Sequence, residues 1–214
     1  LGLYLLFGAL ARGGGHSAAL WTVLIVWLAS PLRFYLSTLP SLAHGCEFFA
    51  AVLVLRTWLA LRERLDARRA AWAGAACGLV FLVRSQDGLL LGLPLFEVAV
   101  ALARGPRRPA FRALGGLVVA FALTALPQVL DWQAMFGRPF LVPHTALHGA
   151  AFMHLDQPRL IDTLLSARGG LFSSHPMALL AVLGIASMAV RRRPSPEWPR
   201  GFDRRFALAA LPVL

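Results

Sequence analysis

The chain alternates between long apolar blocks and short breaks rich in arginine, proline and glycine. A helix needs about 20 apolar residues to cross a hydrocarbon layer about 30 Å thick. The blocks approach that length and predict spans at 1–11, 18–32, 42–61, 70–83, 88–103, 113–130, 177–190 and from 206 onward. The pattern therefore predicts an all-α, polytopic transmembrane helical bundle, read as a single transmembrane domain over 1–214. Both ends fall inside apolar blocks, so the sequence reads as a fragment truncated at both ends.

The greasiest stretch, 70–103, is interrupted by one polar knot, Arg84-Ser85-Gln86-Asp87. As a single helix it would be about 51 Å long at about 1.5 Å per residue, too long for one crossing. As a hairpin it crosses twice, with the knot at its corner. Charged groups at that depth must face protein or water. The knot predicts a polar cavity lined by Arg84, Gln86 and Asp87, unless Arg84 and Asp87, three apart, only pair with each other.

A second polar element precedes the span 42–61. Pro40 breaks the chain, and Ser41 is a candidate N-cap. His44 and Glu47 are three apart and share a helix face. An acid inside a span is costly, so Glu47 either lines the same cavity or bonds a neighbouring helix.

The segment 131–176 is too long for a plain connector and is read as an extracytoplasmic, outer-face loop segment. Trp132 and Gln133 stand at its start. Gln157-Pro158 predicts a helix start, and Gly169-Gly170 its end. Leu160, Ile161, Leu164 and Leu165 form one apolar face against Arg159, Asp162, Thr163 and Ser166. This short helix is expected either to lie along the membrane interface or to pack in a core.

Composition agrees with the pattern. Hydrophobic residues make up 58%, charged residues 14%, and the mean hydropathy is +0.66. A soluble domain carries about a quarter charged residues. The net charge of +11 does not point to nucleic acid, because the basic residues sit between apolar blocks rather than along a stripe with aromatics. All 21 basic residues are arginine, which suggests a GC-rich bacterial source. Arginines concentrate at 12, 62–69, 104–112 and 191–205, fifteen in all, against five at 33, 84, 138, 159 and 168, with Arg56 set aside because it lies within a predicted span. The positive-inside rule makes the first set cytoplasmic and the polar knot outward-facing. The clusters serve as topology determinants beside anionic membrane lipid. Cys46 and Cys77 lie in apolar blocks and read as helix thiols rather than a disulfide framework.

Specific catalytic signatures are lacking. His144 and His148 have helical metal-pair spacing, with His154 and Asp156 nearby, but HTALHGAAF has no HExxH acid. No metal or cofactor is assigned; a divalent metal has no specific motif. Ser173-Ser174-His175 is mere adjacency and no triad. What remains is an outward pocket holding acids and arginines. Arginine can clamp a phosphate in two-pronged fashion, and a carboxylate can take a proton from a hydroxyl.

Four stretches carry a family resemblance: PLRFYLSTLPSLAHGCEFFAAVLVL, GAACGLVFLVRSQDGLLLGLPL, PQVLDWQAMFGRPFLVPH and LLSARGGLFSSHP. In this order they resemble bacterial membrane glycosyltransferases of the GT-C class, related to protein O-mannosyltransferases and to enzymes that glycosylate lipopolysaccharide. The likeness covers most of 31–190 and departs at 172–176, where the family's aromatic before a Thr-Pro-like end is replaced. It implies an enzyme of the bacterial inner membrane with its site facing the periplasm, moving a sugar from a polyprenyl-phosphate donor to an acceptor. It implies that Arg84 and Gln86 bind the donor's phosphate or sugar, that His44 is a cavity group, and that Trp132 and Gln133 stack on or bond the sugar. It also implies that the main catalytic acid precedes Leu1, so the catalytic residue is unassigned. The competing expectations are a transporter or flippase of lipid-linked sugars, or a noncatalytic membrane subunit. The lack of an internal repeat speaks against a transporter.

Overall fold

The computed structural model of the protein describes residues 1–39, 43–141, 159–190 and 203–210. Every regular element among them is helical. The helices are α1 (Gly2–Gly14), α2 (His16–Ala29), α3 (Leu32–Ser37), α4 (His44–Glu63), α5 (Ala67–Val83), α6 (Gly92–Arg104) and α7 (Arg107–Phe136). They are followed by α8 (Leu160–Leu165), α9 (Leu171–Ser174), α10 (Pro176–Val190) and α11 (Arg204–Ala210). A 3-10 turn, Ser85–Leu91, joins α5 to α6.

Three helical stretches are long and apolar enough to cross a membrane: His44–Glu63, Ser85–Arg104 and Arg107–Phe136. Gly2–Arg12, His16–Ala29 and Pro176–Val190 are apolar but shorter. Their outer faces fit a lipid solvent. On α2 only Ala19 is buried, while Trp21 and Leu28 are exposed.

The chain falls into two compact units, residues 1–125 with 182–214, and residues 126–181. In the first, α4 and α5 pack antiparallel around Trp58, Val54, Ala50, Cys77 and Val80. Asp66 caps α5 by accepting the Arg69 backbone N–H at 2.8 Å. In lipid there is little hydrophobic drive between helices, so close van der Waals approach must hold them. Small residues four apart, Ala70, Gly74 and Gly78, provide that approach against α7. A Cβ on Gly74 would lie 2.1 Å from the Leu117 carbonyl oxygen, and one on Gly78 would lie 2.6 Å from Thr124 Cβ.

The expected hairpin forms: α5 ends at Val83, and the chain returns through the 3-10 turn into α6. Two boundaries differ from expectation. The return arm is not α-helical from 88, because the 3-10 turn runs on to Leu91. The segment expected to be loop from 131 stays helical to Phe136, with Pro127 accommodated inside α7. Gly137, at φ 68°, ends that helix and donates its N–H to Gln133 O at 3.0 Å. This is the left-handed stop that glycine favours. In the second unit, α8 leaves Leu160, Ile161 and Leu165 exposed, so its apolar face is not packed in a core. Pro40, Ser41, Gln157 and Pro158 lie outside the described residues.

Candidate functional site

Arg84 leaves α5 in an extended conformation, φ −148° and ψ 115°. That turn carries its side chain away from the α5 axis and across to the first turn of α4. There Nη1 donates to both carboxylate oxygens of Glu47, at 3.0 Å each. His44 Nδ1 lies 2.9 Å from Glu47 Oε2. A carboxylate held by arginine only accepts, so Nδ1 carries the hydrogen. The Tyr35 ring of α3 lies tilted against His44, with centroids 4.0 Å apart and planes at 36°. Gly45 permits this approach of α3 to α4, since a Cβ there would meet Leu36 Cδ2 at 2.6 Å.

Asp87 sits one turn beyond Arg84 and bonds its backbone N–H to Arg84 O at 3.0 Å. Its carboxyl lies within hydrogen-bonding reach of the Glu47 carboxyl and within electrostatic reach of Arg84 and His44. Oδ2 is buried without a hydrogen-bond partner among the described residues. The knot is thus not a self-contained Arg84–Asp87 pair. Arg84 spends one nitrogen on Glu47, and its Nε and Nη2 have no partner among the described residues. The cluster combines a free guanidinium edge, an unsatisfied carboxylate oxygen and a histidine, all half-buried.

The other expected residues are placed differently. Gln86 is exposed beside the cluster on the 3-10 turn. Trp132 and Gln133 belong to the second unit and lie within α7, not at the start of a loop. Trp132 is buried, 6% exposed, so its ring is not an open stacking surface; Gln133 is exposed. His144, His148, His154 and Asp156 lie outside the described residues. Among the described residues no three His, Cys, Asp or Glu side chains gather closely enough to hold a metal ion.

A second charged cluster, at the opposite end of α4, has no counterpart in the expectations above. Arg62 Nε meets Glu97 Oε1 of α6 at 2.8 Å, and Arg62 Nη2 donates to Asp203 Oδ1 at 2.7 Å. Arg205 Nη2 bonds Glu97 Oε2 at 3.1 Å. The Arg62 guanidinium lies over Trp58, 5.5 Å from the ring centroid, and Trp58 stacks on Phe206. Asp203 also caps α11 through the Phe206 N–H at 2.9 Å. Burial works against the Asp203 charge, but hydrogen bonds from Arg62 and Phe206 outweigh it and hold its pKa below the ordinary value. Glu97, an acid inside an apolar run, carried the same signal that singled out Glu47. Every charge in this cluster is matched by an opposite one, so it acts as a clasp and not as an open site.

The described chain is thus all-helical, with three helical stretches of membrane-crossing length and a polar side-chain cluster where α5 meets the first turn of α4. Compared with known proteins, it matches no family model, no curated protein and no solved structure.

Proposed function

We propose that the protein is an integral membrane glycosyltransferase that moves a sugar from a polyprenyl-phosphate donor to an acceptor at the extracytoplasmic face of a bacterial inner membrane. The observation that carries this reading is the incomplete satisfaction of the Arg84–Glu47–Asp87 cluster. Its free guanidinium edge suits a phosphate, and its unsatisfied Asp87 oxygen suits a sugar hydroxyl. In this reaction an acceptor hydroxyl oxygen bonds to the anomeric carbon, and its proton passes to an oxygen of the departing phosphate. The carbon–oxygen bond to phosphate breaks, and the polyprenyl phosphate leaves with the electron pair. Arg84 stabilises the charge that develops on that group. Glu47, itself bonded to His44, holds the guanidinium in place, and Gln86 stands exposed beside it. The family resemblance of the four quoted stretches supports the same reading.

The test is sugar transfer from a radiolabelled polyprenyl-phosphate donor by the membrane-inserted protein. Arg84→Ala is expected to lower transfer by about 100-fold or more while insertion is unchanged. Arg84→Lys, a point charge without the fork, is expected to recover only part. Transfer by Arg84→Ala at the wild-type rate overturns the proposal. The 3-10 break in Ser85–Arg104 supports a second reading, a carrier of lipid-linked sugars, because transporter sites are built on interrupted spans. Movement of the donor across vesicles without transfer would favour it.

A further inference from the structure

At the far end of α4 from the Glu47 cluster, α1 and α4 enclose a cavity of about 130 Å³. Its walls are Ala9 and Arg12 of α1, with Arg56, Leu59, Ala60 and Glu63 of α4. The spacings of three, four and seven put each set on one helix face. Small residues make the room: the Arg56 guanidinium lies against Gly8, where an added Cβ would be 3.9 Å from Nη1.

Two features of this cavity call for a ligand. Arg56 lies inside a membrane-length helix, about 10 Å from its end at about 1.5 Å per residue. Neither Arg56 nor Arg12 has a hydrogen-bond or ion-pair partner among the described residues. An unpaired charge within a span is costly. Arg12 is exposed near the end of α1 and Arg56 is half-buried; snorkelling toward the interface relieves either one alone, but not the mutual repulsion of two arginines lining the same small space. The acid on the wall does not neutralise them. Glu63 is 65% exposed, and its nearest cation is Arg69 at 3.7 Å. The volume is about four times the share of liquid, about 30 Å³, that one water occupies, which leaves room for a small oxyanion.

We propose that this cavity is a phosphate-binding site in which Arg12 and Arg56 grip a phosphate oxyanion between α1 and α4. The phosphate comes either from the headgroup of an anionic phospholipid or from a free phosphorylated solute. The site is separate from the carboxylate-bearing pocket, and its test does not depend on sugar transfer.

Binding of phosphatidylglycerol, phosphatidylcholine and inorganic phosphate to the purified full chain is measured in nonionic detergent at fixed ionic strength. Arg56→Gln and Arg12→Gln are each expected to weaken binding by about tenfold or more, the loss of one charge-assisted contact. Glu63→Gln, which removes the acid from the wall, is expected to tighten it several-fold, a gain that misfolding cannot produce. Arg64→Gln, 77% exposed and not on the wall, is expected to leave it unchanged. Saturable phosphatidylglycerol binding that inorganic phosphate does not displace assigns the lipid source. Displacement by inorganic phosphate assigns the free solute. The proposal is overturned if the wild type binds neither phosphate source, if both glutamine variants bind like the wild type, or if Arg64→Gln loses as much as Arg56→Gln.

Discussion

Asp87 is the residue on which the proposed chemistry turns. A buried carboxylate oxygen with no partner costs about 1–3 kcal/mol relative to one that is hydrogen-bonded. Its neighbour Glu47 carries the same sign of charge and already holds Arg84. Asp87→Asn removes the like-charge repulsion and supplies a donor toward Glu47. We therefore expect this variant to be more stable than the wild type, by up to about 1 kcal/mol, while its sugar transfer falls. Denaturation in detergent and the transfer assay read the two effects separately. A loss of stability together with activity would make Asp87 structural. At this scale the sequence exposed the polar knot, because charges in an apolar block stand out. It did not expose the partner of Arg84. An Arg84–Asp87 bond was equally allowed by spacing, and only the packing of α4 on α5 brings Glu47, 37 positions away, within 3.0 Å.

The α5–α7 contact shows what the elements require of each other. Hydropathy located both helices, because a span must be apolar whatever it packs against. Which faces meet depends on side-chain size, and the seam Ala70, Gly74, Gly78 is visible in sequence only as three small residues among many. The overrun of α7 past 130 has a similar cause. Asp131, Trp132 and Gln133 are polar enough to resemble loop, yet backbone hydrogen bonding continues until Gly137 turns left-handed. The seam is testable at its tightest point. Gly74→Ala puts a methyl group 2.1 Å from the Leu117 carbonyl oxygen, and backbone there cannot swing aside. The expected cost is about 1–3 kcal/mol, the range for overpacking a filled interior. Gly115→Ala, on the same helix pair but with nothing within 4 Å of its Cβ, is expected to be neutral or stabilising by up to about 1 kcal/mol. Equal costs for the two variants in chemical denaturation would show that α5 and α7 do not meet along this seam.

On the scale of the whole molecule, α4 carries a charged cluster at each end. His44 and Arg62 are eighteen residues apart, about 27 Å of helix at about 1.5 Å per residue, close to a hydrocarbon thickness of about 30 Å. The two clusters differ in kind. The Glu47 end leaves a guanidinium edge and the Asp87 Oδ2 without partners among the described residues, as the proposed binding role requires. The Arg62 end is closed by Glu97, Asp203 and Arg205, which tie α4, α6 and α11 together. The arginine-rich breaks signalled this end in the sequence, but their acidic partners lie 35 and 141 positions from Arg62, beyond any local pattern. Removing one partner of a buried pair leaves the other charge uncompensated, so Glu97→Gln is expected to cost about 3–5 kcal/mol at neutral pH. Asp203 adds a pH signature. Its folded pKa lies below the ordinary aspartate value of 3.8, so the unfolded chain takes up its proton first as the pH drops. The stability contributed by Asp203 is therefore whole above 3.8 and is lost as the pH falls through the folded value. The gap in melting temperature between the wild type and Asp203→Asn is expected to stay constant from about pH 8 to about pH 5 and to close below the ordinary value. A gap that persists undiminished at about pH 2.5 would mean that the Arg62–Asp203 bond does not depend on the aspartate's charge.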